Sequence, residues 1–303
     1  MFRSRMERLP ILFFGALMLL TPILRAEPET TPGRFTIKRD LVYATPEGKE
    51  LLLDAYIPNG AGPFPAVLVV HGGSWKSGNK MQLSGYAMRL AGRGFAAFAI
   101  NYRLAPEFKH PAQINDCRAA LRWIEEHADE YHVDPDRIGA IGYSAGAHLV
   151  FLLGMAGEQN KPDDVVTPWK PGQKTGRRLK AVVAGGSPCD FTVLEDDDKV
   201  LSHFLGGTKG EVPEVYVTAS PAFYLSEDDP PIMFFHGTAD ELVTIRGPEI
   251  MIDRLQKKGV EASLYKVPGG DHITAATNLD AVKKSIEFLE KHLKPAQKTA
   301  AAP

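Results

Sequence analysis

The sequence predicts an α/β fold: a mostly parallel, doubly wound sheet with helices on both faces. Two observations predict it. Several short apolar runs carry no polar alternation, as in Ala66-Val67-Leu68-Val69-Val70, and such runs suit strands buried on both faces of a parallel sheet. Stretches with helical periodicity separate them, and regular alternation of the two means strand–crossover–strand units.

In chain order, residues 35–57 read as an antiparallel hairpin. Phe35, Ile37 and Leu41-Val42-Tyr43 lead to a turn at Pro46-Glu47-Gly48, and Leu51–Tyr56 returns. Pro58–Pro63 is a loop by composition. The first parallel strand is Ala66–Val70, followed by a helix over Gln82–Ala91 and a strand over Phe95–Ile100. Pro111–Tyr131 has an apolar stripe at Ile114, Cys117, Leu121 and Ile124, which gives a long helix. Ile138–Gly142 is a strand, Ala145–Gly154 a helix and Leu179–Ala184 a strand. Pro231–Phe235 and Ala262–Val267 are the last two strands, with helices at Ile245–Lys258 and Asp280–Leu293. Residues 155–178 and 190–228 interrupt the rhythm and read as irregular insertions. The catalytic domain spans 35–294, and the Ala/Lys/Pro-rich tail 295–303 reads as disordered.

The chain has 303 residues, enough for a large core. Its first 26 residues have the layout of an export signal: Arg3, Arg5 and Arg8, an apolar run from Leu9 to Leu24, and a polar stretch after Ala26. The expected address is secreted or periplasmic, with cleavage after Ala26 and no stable membrane insertion afterwards. Removing residues 1–26 takes away four arginines and one glutamate, leaving 31 basic against 36 acidic side chains. Nucleic acid is therefore not an expected partner. The two cysteines, Cys117 and Cys189, fall in core segments and read as free buried thiols; their spacing makes no metal motif, and no metal or cofactor is expected.

Gly142-Tyr143-Ser144-Ala145-Gly146 fits G-x-S-x-G between a strand and a helix. A sharp turn there lifts a serine hydroxyl clear of the sheet edge, and only small neighbours tolerate it. A plain strand–helix turn with Ser144 as N-cap is the competing account. His71-Gly72-Gly73-Ser74-Trp75 closes the first parallel strand. Its glycines let backbone N–H groups point inward, so Gly73, Ser74 and Ala145 are the candidate oxyanion donors. Trp75 and Tyr143 are candidate substrate contacts.

A serine nucleophile needs a base, and the base an orienting acid. Of the nine histidines, His272 lies in the glycine loop after the last strand, at the same sheet edge. Asp240 follows the preceding strand and is the candidate acid. Asp190 is held in reserve, and Asp271 adjoins His272 with poor geometry. His236 reads as support for the Asp240 loop, His71 as an orienting residue of its own loop, and His292 as exposed. The order Ser144, Asp240, His272 completes the expected triad.

With these residues in place, the chain resembles the α/β-hydrolase superfamily, in particular bacterial secreted esterases close to the hormone-sensitive-lipase-like enzymes. His71-Gly72-Gly73-Ser74-Trp75 is similar to the H-G-G-x-W of kynurenine formamidases and secreted carbohydrate esterases. Asn101–Pro106 and Pro230-Pro231 leading into His236–Asp240 resemble their segments too. The resemblance implies a serine carboxylic ester hydrolase acting through an acyl-enzyme. Two departures qualify the substrate: Ser74 stands where many such enzymes have a third Gly, and residues 27–65 are too few for a large helical cap. Short acyl or carbohydrate-linked (acetyl or feruloyl) esters follow as the expected substrates. A prolyl-oligopeptidase-like peptidase, an arylformamidase and a non-enzymatic binding module on the same scaffold are the alternatives.

Overall fold

The computed structural model describes residues 30–31, 34–156, 179–194 and 198–294. The proposed signal peptide, most of the 155–178 insertion and the 295–303 tail lie outside the described residues.

Among the described residues nine strands form one sheet: β1 (Thr30–Thr31), β2 (Phe35–Ala44), β3 (Leu51–Pro58), β4 (Phe64–Val70), β5 (Ala96–Ile100), β6 (Val133–Tyr143), β7 (Val182–Gly185), β8 (Ile232–Gly237) and β9 (Ala262–Val267). Their spatial order is β1-β2-β3-β5-β4-β6-β7-β8-β9. From β5 to β9 all neighbours are parallel, and β1, β2 and β3 add an antiparallel edge. The expected hairpin is β2–β3.

The unbroken apolar runs now have their reason. On β4, Ala66, Leu68 and Val70 enter the core on one face of the sheet, and Val67 and Val69 the core on the other. On β5, Ala96, Phe98 and Ile100 divide from Ala97 and Ala99 in the same way. A polar side chain in either row would lose water without gaining a partner. The first core is closed by α2 (Ala112–Glu126), α3 (Ala145–Ala156) and α6 (Arg246–Lys257), and the second by α1 (Ser84–Gly92) and α8 (Leu279–Leu293).

Three expectations need correction. Residues 190–228 are not wholly irregular: they carry α4 (Lys199–Leu205) and α5 (Pro213–Thr218), whose Leu201, Phe204 and Tyr216 join the first core. These helices are short, so their periodicity is weak in sequence. The long helix stops at Glu126 rather than Tyr131, because the chain then turns to feed β6, with Val133 N–H donating to the Ala128 carbonyl. His292 is only partly exposed; it packs on Phe288 and meets Glu261 at 3.3 Å.

The topology places the site. After β4 the chain leaves for β5 on one side, and after β6 it leaves for β7 on the other. β4 and β6 are neighbours, so the crevice beyond their carboxyl ends is a topological switch point, where open α/β sheets bind ligands. His71 follows β4 there and Ser144 follows β6.

Candidate active site

Ser144 stands between the last residue of β6 and the first of α3, with φ of +54°. This left-handed conformation is uncommon for a residue with a Cβ. Its N–H is tied to the Gly185 carbonyl at 2.8 Å, and its own carbonyl receives the His148 N–H at 3.0 Å. The two flanking glycines are required by close approach. A Cβ at Gly142 would run into the Gly146 backbone, and one at Gly146 into the carbonyls of Val70 and His71.

His272 is the first residue of a short helix, α7 (His272–Ala276), where the glycines before it predict a loop. Asp271 caps it: its carboxylate accepts from the N–H groups of Ile273 and Thr274, while Thr274 Oγ1 accepts from the Asp271 N–H. Asp271 is thus a cap rather than a rival acid. Tyr143 donates its hydroxyl to the His272 carbonyl, and Tyr86 donates to the Ala276 carbonyl at 3.0 Å. Both ends of the turn that carries the imidazole are therefore held.

Asp240 lies just past β8, its side chain fully buried. One oxygen accepts from the N–H groups of Leu242 (3.0 Å) and Val243 (2.8 Å), and the other accepts from His272 Nδ1 at 2.7 Å. His236 Nε2 stands 3.3 Å from that second oxygen and 2.7 Å from the Val243 carbonyl, so it braces the Asp240 loop. Burial holds the His236 pKa below the ordinary histidine value. On the far side of the imidazole, Nε2 is 2.9 Å from Ser144 Oγ. With Nδ1 protonated toward Asp240, Nε2 carries the lone pair that accepts the serine O–H. The three side chains, separated by 128 and 32 positions along the chain, form one continuous hydrogen-bonded line. Asp190 takes no part in it; one of its oxygens accepts from the N–H and hydroxyl of Thr192.

The segment after β4 lies against Ser144. A Cβ on Gly72 would stand 3.2 Å from that of Ser144. Gly73, Ser74 and Trp75 all have positive φ, at +112°, +53° and +57°. The N–H groups of Gly73, Ser74 and Ala145 have no partner among the described residues, and Ser74 and Ala145 line the same pocket as Ser144. The segment is braced from behind. Tyr102 stacks on His71 at 4.2 Å and donates to its carbonyl at 3.1 Å, and the Ala105 N–H donates to the Trp75 carbonyl at 2.9 Å. The Tyr102–Ala105 stretch is itself anchored by a buried Arg103–Asp116 pair at 2.8 Å. Burial brings the His71 pKa down to about 4, so the ring is neutral and donates Nδ1–H to the Gly72 carbonyl.

A pocket of about 370 Å³ opens beside Ser144. Ser74, Trp75 and Ala145 line it, as do Cys189, Phe191 and Leu201; Val243 before α6, and Gly247 and Met251 on it, complete the lining. Val193 and Leu242, 76% and 71% exposed, make its rim apolar. Trp75 is thus a wall residue. Tyr143 is not: its ring packs between Phe235 and His272, and its hydroxyl is used on the His272 backbone, so the expected substrate contact is corrected to a brace. Cys117 and Cys189 are separate buried thiols, and burial pushes both pKa values up. The α6 wall had no motif to announce it; the one available signal was apolar Leu242-Val243 in a loop directly after Asp240.

A mostly parallel sheet with an elbow serine, a buried acid and a histidine at the switch point defines an α/β hydrolase. Within that class the chain belongs to the BD-FAE family, whose model matches residues 53–255. Among solved structures it is similar to a truncated carbohydrate esterase from gut microbiota, with TM-score 0.76 and 26% identity over 89% of this chain and 100% of that one. It is also similar to a thermophilic esterase of the planctomycete Thermogutta terrifontis with propionate bound, with TM-score 0.71 and 26% identity over 87% and 97%. Among curated proteins it is 32% identical to the probable carboxylic ester hydrolase LipM of Mycobacterium tuberculosis, over 67% of this chain and 48% of that protein. It is 29% identical to the isoprenylcysteine alpha-carbonyl methylesterase ICME of Arabidopsis thaliana, over 78% and 56%. The chain spans about half the length of the curated relatives it matches.

Proposed function

We propose that this protein is a serine carboxylic ester hydrolase. The observation that carries the reading is the line from Ser144 Oγ through His272 to Asp240, at 2.9 and 2.7 Å, beside a pocket and three free amides. Ser144 Oγ bonds to the ester carbonyl carbon as its proton passes to His272 Nε2. The carbonyl oxygen takes the negative charge, which the Gly73, Ser74 and Ala145 amides stabilise; one such donor is worth about 3 kcal/mol. The C–O bond to the alcohol then breaks, and His272 returns its proton to the departing oxygen. Water, deprotonated by the same nitrogen, attacks the acyl carbon; the bond to Ser144 Oγ breaks, His272 returns the proton to Oγ and the acid leaves. Asp240 holds the imidazole in the required tautomer throughout.

The substrates are short acyl or carbohydrate-linked esters. The pocket volume and its apolar walls suit an acetyl or an aromatic acyl group such as feruloyl, and the similarity to a carbohydrate esterase favours a sugar-linked alcohol. The arginine-led apolar stretch at the N-terminus supports action outside the cytoplasm. Release of acetate and ferulate from acylated polysaccharides, beside a series of nitrophenyl esters, tests the reading. Acetate and butyrate esters are expected to turn over faster than palmitate; a preference for palmitate contradicts it.

A further inference from the structure

Trp75 and His148 meet behind the pocket wall. Trp75 Nε1 donates to His148 Nδ1 at 3.2 Å, and His148 Nε2 donates to the Ala219 carbonyl at 2.7 Å. These two bonds fix the tautomer: the proton sits on Nε2 and the lone pair on Nδ1. Burial also brings the His148 pKa down to about 4, in keeping with a neutral ring. The indole is 4% exposed, stacks on Phe204 at 4.3 Å and meets Phe191 edge-on at 5.6 Å.

Ser74 and Trp75 are consecutive residues with side chains and left-handed φ. Such conformations persist only where the surroundings hold them. Beside the Ala105 N–H on the Trp75 carbonyl, the pair is held by the Trp75 side chain, which the His148 bond and the Phe204 stack keep in place. His148, which holds it, lies in the first turn of α3, and its N–H donates to the carbonyl of Ser144 just before that helix.

We propose that His148 is a positioning residue: through Trp75 it holds the Ser74–Trp75 pair left-handed and keeps the Gly73 and Ser74 amides aimed beside Ser144. The anchor of the oxyanion donors then sits in the first turn of the helix that the nucleophile opens. This rests on the reading of Ser144 as nucleophile.

A double-mutant cycle with Trp75→Phe and His148→Leu, measured on nitrophenyl acetate, tests it, with His148→Asn as the rescue. Each single change is expected to lower kcat about 10- to 100-fold, the cost of misplacing a transition-state donor, with KM within about twofold. The double variant is expected to be no worse than the worse single, because both remove one interaction. His148→Asn, which can both accept and donate, recovers most of kcat. Wild-type kcat in Trp75→Phe, additive losses, or a loss confined to KM overturns the proposal. If His148→Leu does not fold, Trp75→Phe, which keeps the ring stack, carries the test. A wild-type protein inert toward ester and fluorophosphonate overturns the Ser144 reading and this inference with it. An active wild type with unaffected variants overturns this inference alone.

Discussion

Asp240 reaches His272 Nδ1 at 2.7 Å from a side chain with no exposure to solvent. Its other oxygen is saturated by two backbone N–H groups, so the carboxylate cannot swing away. Asp240→Asn keeps the shape but offers the imidazole the wrong tautomer. We expect kcat to fall by about 10⁴-fold with the fold intact. Steady-state kinetics with circular dichroism checks this; a loss under tenfold means the acid is elsewhere.

Tyr143 braces the His272 backbone rather than the substrate. Tyr143→Phe leaves a buried carbonyl without its donor and should cost about 1–3 kcal/mol of stability. Urea unfolding reads the loss. KM is expected to stay near wild type, and a large rise in KM restores Tyr143 as a substrate contact.

Two glycines make a matched pair. A Cβ on Gly146 meets the backbone carbonyls of Val70 and His71, whereas a Cβ on Gly92 meets nothing within 4 Å. Gly146→Ala is expected to destabilise by about 3 kcal/mol or more, since rigid backbone must move. Gly92→Ala, near a helix end, should stabilise by about 0.4–1 kcal/mol. Melting temperatures of the two variants check the pair.

Three buried histidines set an acid limit on stability. Burial lowers His71 and His148 to about 4 and His110 to about 3. Each therefore binds more proton in the unfolded chain once the pH drops below about 6.5, the ordinary histidine value. Their contribution is complete above that pH and is lost as pH falls through 4 and then 3. The slope is at most about 1.4 kcal/mol per pH unit for each. Denaturation at pH 7, 5.5 and 4.5 should show falling stability; a flat profile contradicts neutral burial.

The parallel core was legible because β4 and β5 bury both faces, which leaves no room for polar alternation in their sequences. Ser144, Asp240 and His272 were legible because each sits where a strand ends and glycine permits a tight turn. The pocket was not. Its far wall comes from residues 187–194, residues 198–201 and α6, brought together only by packing. Tyr143 was misread for the same reason: sequence places it beside Ser144, but only the fold shows its hydroxyl turned to His272. Asp271 is no acid for His272, as its adjacency implies; its capping role is the part the sequence reading lacks, although the signal is present, an Asp three residues before Thr274 in capping-box spacing.

Fluorophosphonate treatment followed by mass spectrometry of the adducted peptide decides whether Ser144 is the nucleophile. One adduct is expected, on Ser144, absent in Ser144→Ala and strongly slowed in Asp240→Asn. An unlabelled wild-type protein, or an adduct on any other residue, contradicts it.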